Sequence, residues 1–583
     1  MIDVEHVNIS LLGGISMASI IKKKIKGKEY FYMVDVQRVD GKPRYTNQKY
    51  LGPAEEVIKK LLNSTPSDPL YSEVLDYGDV IALYDLAMRL EVVELINGCV
   101  NKREQGLSIG EYMLIAAINR AVAPTAKLKI SRWFSKTILS KILPINAKML
   151  SSQRYWDNMG LLDESAMKKF EDLFVKKITE TYQIPTSCLI YDATNFFTYI
   201  DTANKSTLAQ RGHSKEKRKD LKIVGLSMMV TPDFNIPLYY ETYSGNKADS
   251  KQFNGIIDKL KKRYTAITGR NEDVTIVFDR GNNSKENIEL LEQGETPFHY
   301  VGGLKLNQCK ELLEIPKEDY NSLSGAEFKG ATAYRITKEV FKRTVTVVVT
   351  YNPELEKGQL QGILANIKKC SEKLNELKTK LEQRAAGKIV KGKRPTVESV
   401  TIAVNKILAT EYMQDIIMVK ITEASDLPSL EFTVHNEKLE AITEKYLGKS
   451  ILFTDRHQWS NEQIVGAYRS AWHVEAGFRQ MKNTDHLSVR PMWHWTDQKI
   501  NVHIFYCVLA YRLCCILRKE LVGKGIDLSI NEMLSELSEI KQVVNIYKPE
   551  NGKEPRTYSM TKRSEIALKI IDELKLDKYK LVR

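Results

Sequence analysis

Cys188-Leu-Ile-Tyr-Asp192 and Val274-Thr-Ile-Val-Phe-Asp279 are two short apolar runs, each closed by an aspartate. Runs of this length read as buried strands. Between them, Lys222 to Thr231 and Ile236 to Tyr243 read as two more strands, joined by the turn-forming pair Pro232-Asp233. Ser250 to Tyr264 reads as a helix capped by Asp249 or Ser250. Lys285 to Gln293 follows as a second helix and His299 to Leu304 as a last strand. The order is therefore three strands, helix, strand, helix, strand. A charge that closes a buried strand is costly unless it is paired or bound to a cation. Asp192 and Asp279 are thus candidates for chemistry. The alternative is an acid that caps the next turn, which suits Asp279 before Gly281-Asn282-Asn283 better than it suits Asp192.

This element order is that of a ribonuclease-H-like core: an α/β fold with a mixed five-stranded sheet and flanking helices. Working outward, residues 1–65 are expected to form a small basic β-rich unit. Tyr30, Tyr32, Val34 and Val36 alternate there, and Asp40-Gly41 marks a hairpin turn. Residues 66–183 read as helical, with a capping box at Ser108 and Glu111. Lys127 to Lys136 sets basic residues beside aromatics. This segment is either a DNA-end-binding domain or a plain helical packing layer. The core occupies 184–305 and resumes at 451–520. An α+β insertion fills 306–450, with a charged helix over 354–384 whose Leu360, Ile367, Leu374 and Leu381 fall at heptad spacing. Residues 521–583 are expected to be helical.

The chain of 583 residues is basic, with 87 Lys and Arg against 73 Asp and Glu and a formal charge of +14. That balance favours a polyanionic partner, since phosphate contacts release condensed counterions. The seven cysteines form no CxxC pair, so no zinc-ribbon spacing exists. An odd, scattered count suits a reducing compartment. No signal peptide is evident, and Ile504 to Leu517 is too short to span a bilayer. A cytoplasmic, nucleoid-associated protein without a membrane partner is expected.

Cleaving and joining phosphodiesters needs charge stabilisation on the attacking and leaving oxygens, which two carboxylate-held magnesium ions supply. A third acid is therefore sought beside Asp192 and Asp279. After Trp459, a helix is predicted with Ser460 as N-cap and Gln463 completing a capping box. Tyr468, Glu475 and Lys482 recur every seven residues along it, a rotation of roughly 700°, so they share one face. Geometry alone leaves two readings: a metal-and-phosphate face, or a solvated surface stripe.

Tyr468-Arg-Ser-Ala-Trp472-His-Val-Glu475-Ala-Gly-Phe478-Arg-Gln-Met-Lys482 resembles the Y-(2)-R-(3)-E-(6)-K signature of IS4-type DDE transposases. Tyr191-Asp192-Ala-Thr-Asn195 and Val277-Phe-Asp279-Arg-Gly281 resemble the other two acidic motifs. Gly212-His-Ser214, Lys219-Asp220-Leu221, the Ser244-Gly245-Asn246 turn and Arg490-Pro491 bring the likeness closest to the IS1634 group. It covers roughly residues 186–305 and 450–515. The sequence departs from the signature at Ala471, where an arginine is usual. Arg469 and Arg479 are the candidates to take over its phosphate contact.

The resemblance implies a transposase that cuts and rejoins double-stranded DNA at terminal inverted repeats. Asp192, Asp279 and Glu475 would bind two Mg²⁺, with Mn²⁺ as a substitute. Tyr468 and Lys482 would contact DNA phosphates, and a homodimer would pair two ends in the synaptic complex. Two alternatives are a ribonuclease-H-like nuclease that never joins, and a DNA-binding derivative that has lost catalysis.

Overall fold

The computed structural model describes all residues except 1–3, 8–16, 40–41, 63–67, 102–105, 202, 217, 219, 248–252, 254, 258, 260, 262–272, 294–296, 425–426, 549–553 and 583. The chain divides into two compact units. The smaller holds Met1–Leu75, Lys541–Lys562 and Lys580–Arg583; the larger holds Asp76–Ile540 and Arg563–Tyr579.

In the smaller unit, strands Val4–Val7, Met17–Ile25, Lys28–Val39 and Lys42–Pro53 form one antiparallel sheet. The N-terminus is thus a four-stranded sheet, and the expected Asp40-Gly41 turn lies outside the described residues. Among the described residues, Ile21 and Val34 are fully buried in it. A second sheet orders Arg556–Met560, Lys541–Ile546 and Tyr71–Asp76. The region 521–583 is therefore not wholly helical. Between helices Ile530–Ser538 and Glu565–Leu574 in the sequence come two paired strands, and burial alternates along the first of them, Lys541–Ile546.

The larger unit is built on a mixed sheet of nine strands. They are β1 (Cys188–Phe197), β2 (Ile223–Val230), β3 (Pro237–Ser244), β4 (Thr275–Phe278), β5 (His299–Leu304), β6 (Asn321–Ser322), β7 (Thr332–Val340), β8 (Arg343–Tyr351) and β9 (Lys449–Thr454). Their spatial order is β6-β7-β8-β9-β5-β4-β1-β2-β3. β1, β2 and β3 pair antiparallel, while β4 lies parallel to both β1 and β5. β1, β2, β4 and β5 are buried almost throughout, which explains their unbroken apolar sequences.

The five expected strands are present, but the sheet does not stop there. β9 pairs with both β5 and β8, so the hairpin β7–β8 extends the sheet instead of belonging to a separate insertion. Beyond it, residues 353–447 build a core of their own. Ile363, Cys370, Leu374 and Leu381 of helix Pro353–Ala385 are buried with Val400, Met413, Ile416 and Leu430. The heptad-spaced seam is thus a ridge packed on the hairpin of strands Ile417–Ala424 and Leu427–Val434.

Helices between Gly78 and Tyr182 surround α3 (Asp497–Gly523), and Ile109–Val122 is buried over nearly its whole length. α3 is longer than the 504–517 run suggests. By length and composition it would cross a membrane, yet 94% of its most apolar window is buried inside the protein. Within it, Arg512 donates to both oxygens of Glu171 at 2.7 and 3.2 Å and to the Pro237 carbonyl at 2.7 Å, all out of water. The helix expected from Ser250 to Tyr264 falls largely, with Asp249, outside the described residues; Phe253, Ile256 and Ile257 are buried.

Candidate active site

The parallel pairing of β1 and β4 sets Tyr191 opposite Phe278. The next residue on each chain is an aspartate, so Asp192 and Asp279 emerge on neighbouring strands, whose backbones lie about 4.8 Å apart. The third acid comes from α2 (Trp472–Lys482), which follows α1 (Asn461–Arg469). The single helix expected after Ser460 is therefore two. The Ser460–Gln463 capping box forms, but the helical ladder breaks at Ser470-Ala471, where the Ser470 hydroxyl bonds back to the Ala467 carbonyl at 2.6 Å. Both residues keep right-handed helical angles, so the chain continues in nearly the same direction and the Tyr468–Glu475–Lys482 stripe survives.

Asp192, Asp279, Glu475 and Tyr468 line one cleft of about 400 Å³. Asp279 precedes a single 3₁₀ turn but its carboxylate caps nothing there, so the capping alternative is not realised. Its Oδ1 instead accepts from the Tyr468 hydroxyl at 3.3 Å. Burial and the Asp279 charge push the Tyr468 phenol up to about 12, so it stays a donor at neutral pH. Gly303 of β5 makes room for that ring: a Cβ there would sit 2.2 Å from the Tyr468 hydroxyl.

Asp192 is half-buried and accepts from the Ala193 N–H at 2.7 Å. Burial raises its pKa to about 6; Lys215 opposes the rise, and Asp279 and Glu475 add to it. The Lys215 amine also bonds the Ala193 carbonyl. Lys482, at the far end of α2, donates to the Thr194 hydroxyl at 2.9 Å and lies over the Phe196 ring. Burial holds its pKa below the usual lysine value, and the Lys215 and Arg490 charges press the same way. Arg490 bonds the Lys482 carbonyl at 2.7 Å and Glu216 at 3.0 Å, fixing the end of this helix.

The flanking motifs are structural supports. Asn195 binds the 212–215 loop through the His213 carbonyl and the Lys215 N–H. Gly212 packs so closely on the Ser244-Gly245-Asn246 turn that a Cβ would lie 1.9 Å from the Gly245 carbonyl oxygen. Asp220 pairs with Arg218, and Lys219 lies outside the described residues.

The arginines are placed differently from expectation. Ala471 lines the cleft but brings only a methyl group. Arg469 reaches the same cleft, yet its guanidinium stacks on Phe328 and donates to the Glu327 carbonyl at 2.9 Å. Arg479 is exposed one turn beyond Glu475. The sequence reading missed Arg280, which lies beside Tyr468 and reaches Ser450 at 3.4 Å. Its only sequence signal was adjacency to Asp279.

Hard oxygen donors suit Mg²⁺. Among the described residues no group of three His, Cys, Asp or Glu side chains is close enough to hold an ion as it stands. The chemistry of the set nevertheless fits a cation. Three carboxylates share one cleft, and a positive ion between them would offset the burial that chiefly raises Asp192 as well as the like charges of Asp279 and Glu475.

A family model described as "Transposase DDE domain" matches residues 184–511, which spans all three acids. No curated protein matches the chain. Seven chains of solved structures match. A piggyBac transposase synaptic complex with hairpin DNA is 10% identical, with 79% of each chain covered and a TM-score of 0.36. A Mos1 transposase paired-end complex with the left transposon end is 12% identical, covering 34% of this chain and 60% of that one, with a TM-score of 0.14.

Proposed function

The chain belongs to the transposase DDE domain family, and from that premise we propose that it is an insertion-sequence transposase of IS4 type, nearest the IS1634 group. In this reading it binds terminal inverted repeats, cuts at the element's end and joins the freed 3′-hydroxyl to target DNA. The observation that carries the reading is the convergence of Asp192, Asp279 and Glu475 on one cleft, from two neighbouring strands and a helix. The strand order β3-β2-β1-β4-β5 supports a ribonuclease-H-like core.

Asp192, Asp279 and Glu475 would hold the metal. Two Mg²⁺, or Mn²⁺ in their place, would stabilise charge on the attacking and leaving oxygens when bound. The protein's own groups do the rest. Tyr468 stays protonated and donates toward the scissile region while its ring rests against Gly303. Lys482 presents a point charge at the far end of the same stripe. Arg280 stands where a phosphate approaching Asp279 would meet a cation, which offsets the methyl group at Ala471. Arg479, exposed beyond Glu475, reaches DNA from the outer side of the helix. Two protomers would pair two ends, and a cytoplasmic location beside the chromosome follows from the substrate.

Ala471 also favours a second reading, a DNA-binding derivative without catalysis. Incubating the protein and Mg²⁺ with labelled DNA from both flanks of its gene separates the readings. End cleavage with joining, lost in EDTA and in Asp192→Ala, Asp279→Ala and Glu475→Ala, supports the transposase. Cleavage without joining indicates a nuclease, and specific binding without cleavage indicates the inactive derivative.

A further inference from the structure

The catalytic cleft leaves one charged and aromatic surface of the larger unit unused. After Arg490-Pro491 the chain presents Trp493 and Trp495, which are 55% and 58% exposed. Isolated exposed apolar residues need no explanation, but these rings are assembled. Trp493 stacks on Tyr199 with centroids 4.8 Å apart and planes 24° from parallel. Trp495 rests on Trp156 at 4.6 Å. His494 between them is buried, and its ring bonds Lys127 at 3.0 Å and His503 at 3.0 Å. His503 in turn bonds the Val489 carbonyl at 2.6 Å. The platform is thus held in place by buried polar groups.

Beneath Trp493 is a pocket of about 280 Å³ lined by Arg120, Lys127, Leu128, Ser152 and His494 among others, and by no Asp or Glu. Arg120 is 2% exposed and gives its guanidinium to the Ser488, Arg490 and Thr125 carbonyls. Among the described residues neither Arg120 nor Lys127 has a salt-bridge partner. Burial, with the charges of Lys499 and Arg120, pushes Lys127 down to about 8. Ser152 opens helix Ser152–Leu161, whose positive end adds to the same surplus. A pocket with two cations that no carboxylate neutralises among the described residues, under an exposed indole, has the chemistry of a nucleotide site: phosphate below, base on the ring.

We propose that this face binds an unpaired stretch of DNA strand, with a base stacked on the Trp493–Tyr199 pair and a phosphate at Arg120, Lys127 and the start of helix Ser152–Leu161. The inference rests on the DNA-transposase reading and names a contact for the strand beyond the cut. β1 connects the two places. From Asp192 to Tyr199 the chain advances about 23 Å if extended, several nucleotides of strand.

The test is fluorescence anisotropy of a short labelled oligothymidylate and of a duplex of equal length, with the full chain in EDTA so that nothing is cut. Trp493→Ala should weaken the single strand by roughly tenfold or more and the duplex by about twofold at most. Trp493→Tyr, which keeps a stacking face, should bind the single strand nearly as well as the parent. Lys127→Gln should weaken binding and reduce the salt slope by about one. Unchanged single-strand affinity in Trp493→Ala, with its unfolding midpoint retained, overturns the inference, as does an equal loss on duplex. If Trp493→Ala fails to fold, the tyrosine variant decides: weakening as large as that expected for alanine, at a parental midpoint, also overturns it. End cleavage measured separately by the parent tells failure of this site from failure of the transposase reading.

Discussion

Asp192→Asn should make the metal-free protein more stable, and the size of the gain follows from its surroundings. The carboxyl is displaced from 3.8 to about 6, chiefly by burial. Such a shift is worth about 3 kcal/mol once the pH exceeds both values. The folded pKa is raised, so the folded state binds more protons than the unfolded one between about pH 4 and pH 6. The protonated carboxyl's stability is therefore complete below about pH 4 and is lost as pH rises through about 6. Asparagine keeps an oxygen for the Ala193 N–H and carries no charge. In EDTA at pH 8 the variant should unfold with a midpoint a few degrees above the parent. The gap should close toward pH 4. Mg²⁺ should raise the parent's midpoint and leave the variant's nearly unmoved. A variant less stable than the parent at pH 8, or a difference independent of pH, refutes the reasoning.

Three other substitutions probe separate parts of the account. Gly303→Ala forces the Tyr468 ring off its seat, because the new methyl would meet the hydroxyl at 2.2 Å; end cleavage should fall at least tenfold while DNA affinity, read by gel shift, changes little. Lys482→Ala removes the amine that bonds Thr194, so the salt slope of end binding should drop by about one and cleavage should slow. Glu171→Ala strands the buried Arg512 guanidinium and should cost about 3–5 kcal/mol in urea unfolding.

The half of the sheet that carries Asp192 and Asp279 was readable because each strand carries its own signal. An apolar run ending in an acid is local information, and so is the capping box at Ser460. The seven-residue spacing of Tyr468, Glu475 and Lys482 survived the break at Ser470-Ala471 because both residues keep helical angles. The outer half was not readable. β7 and β8 alternate like any hairpin, and their place in the sheet depends on pairings such as Thr346 with Thr454, far apart in sequence. The same holds for Lys541–Ile546, which pairs beside Tyr71–Asp76. Arg469 was singled out on sequence position, but its guanidinium is taken up by Phe328 and the Glu327 carbonyl, which only the fold brings near. Arg280 and Lys215 were overlooked because a lone cation beside an acid has no pattern of its own.

The claim that three carboxylates hold the catalytic metal is tested most directly by changing the ligand chemistry. Asp192→Cys, Asp279→Cys and Glu475→Cys replace a hard oxygen by a thiolate, which binds Mg²⁺ poorly and accepts softer ions better. End cleavage should vanish in Mg²⁺ for all three and return, at least in part, in Mn²⁺, while the corresponding alanine variants stay inactive in both. Cysteine variants that cleave normally in Mg²⁺ would mean that these side chains do not hold the metal, and the site would have to be sought elsewhere.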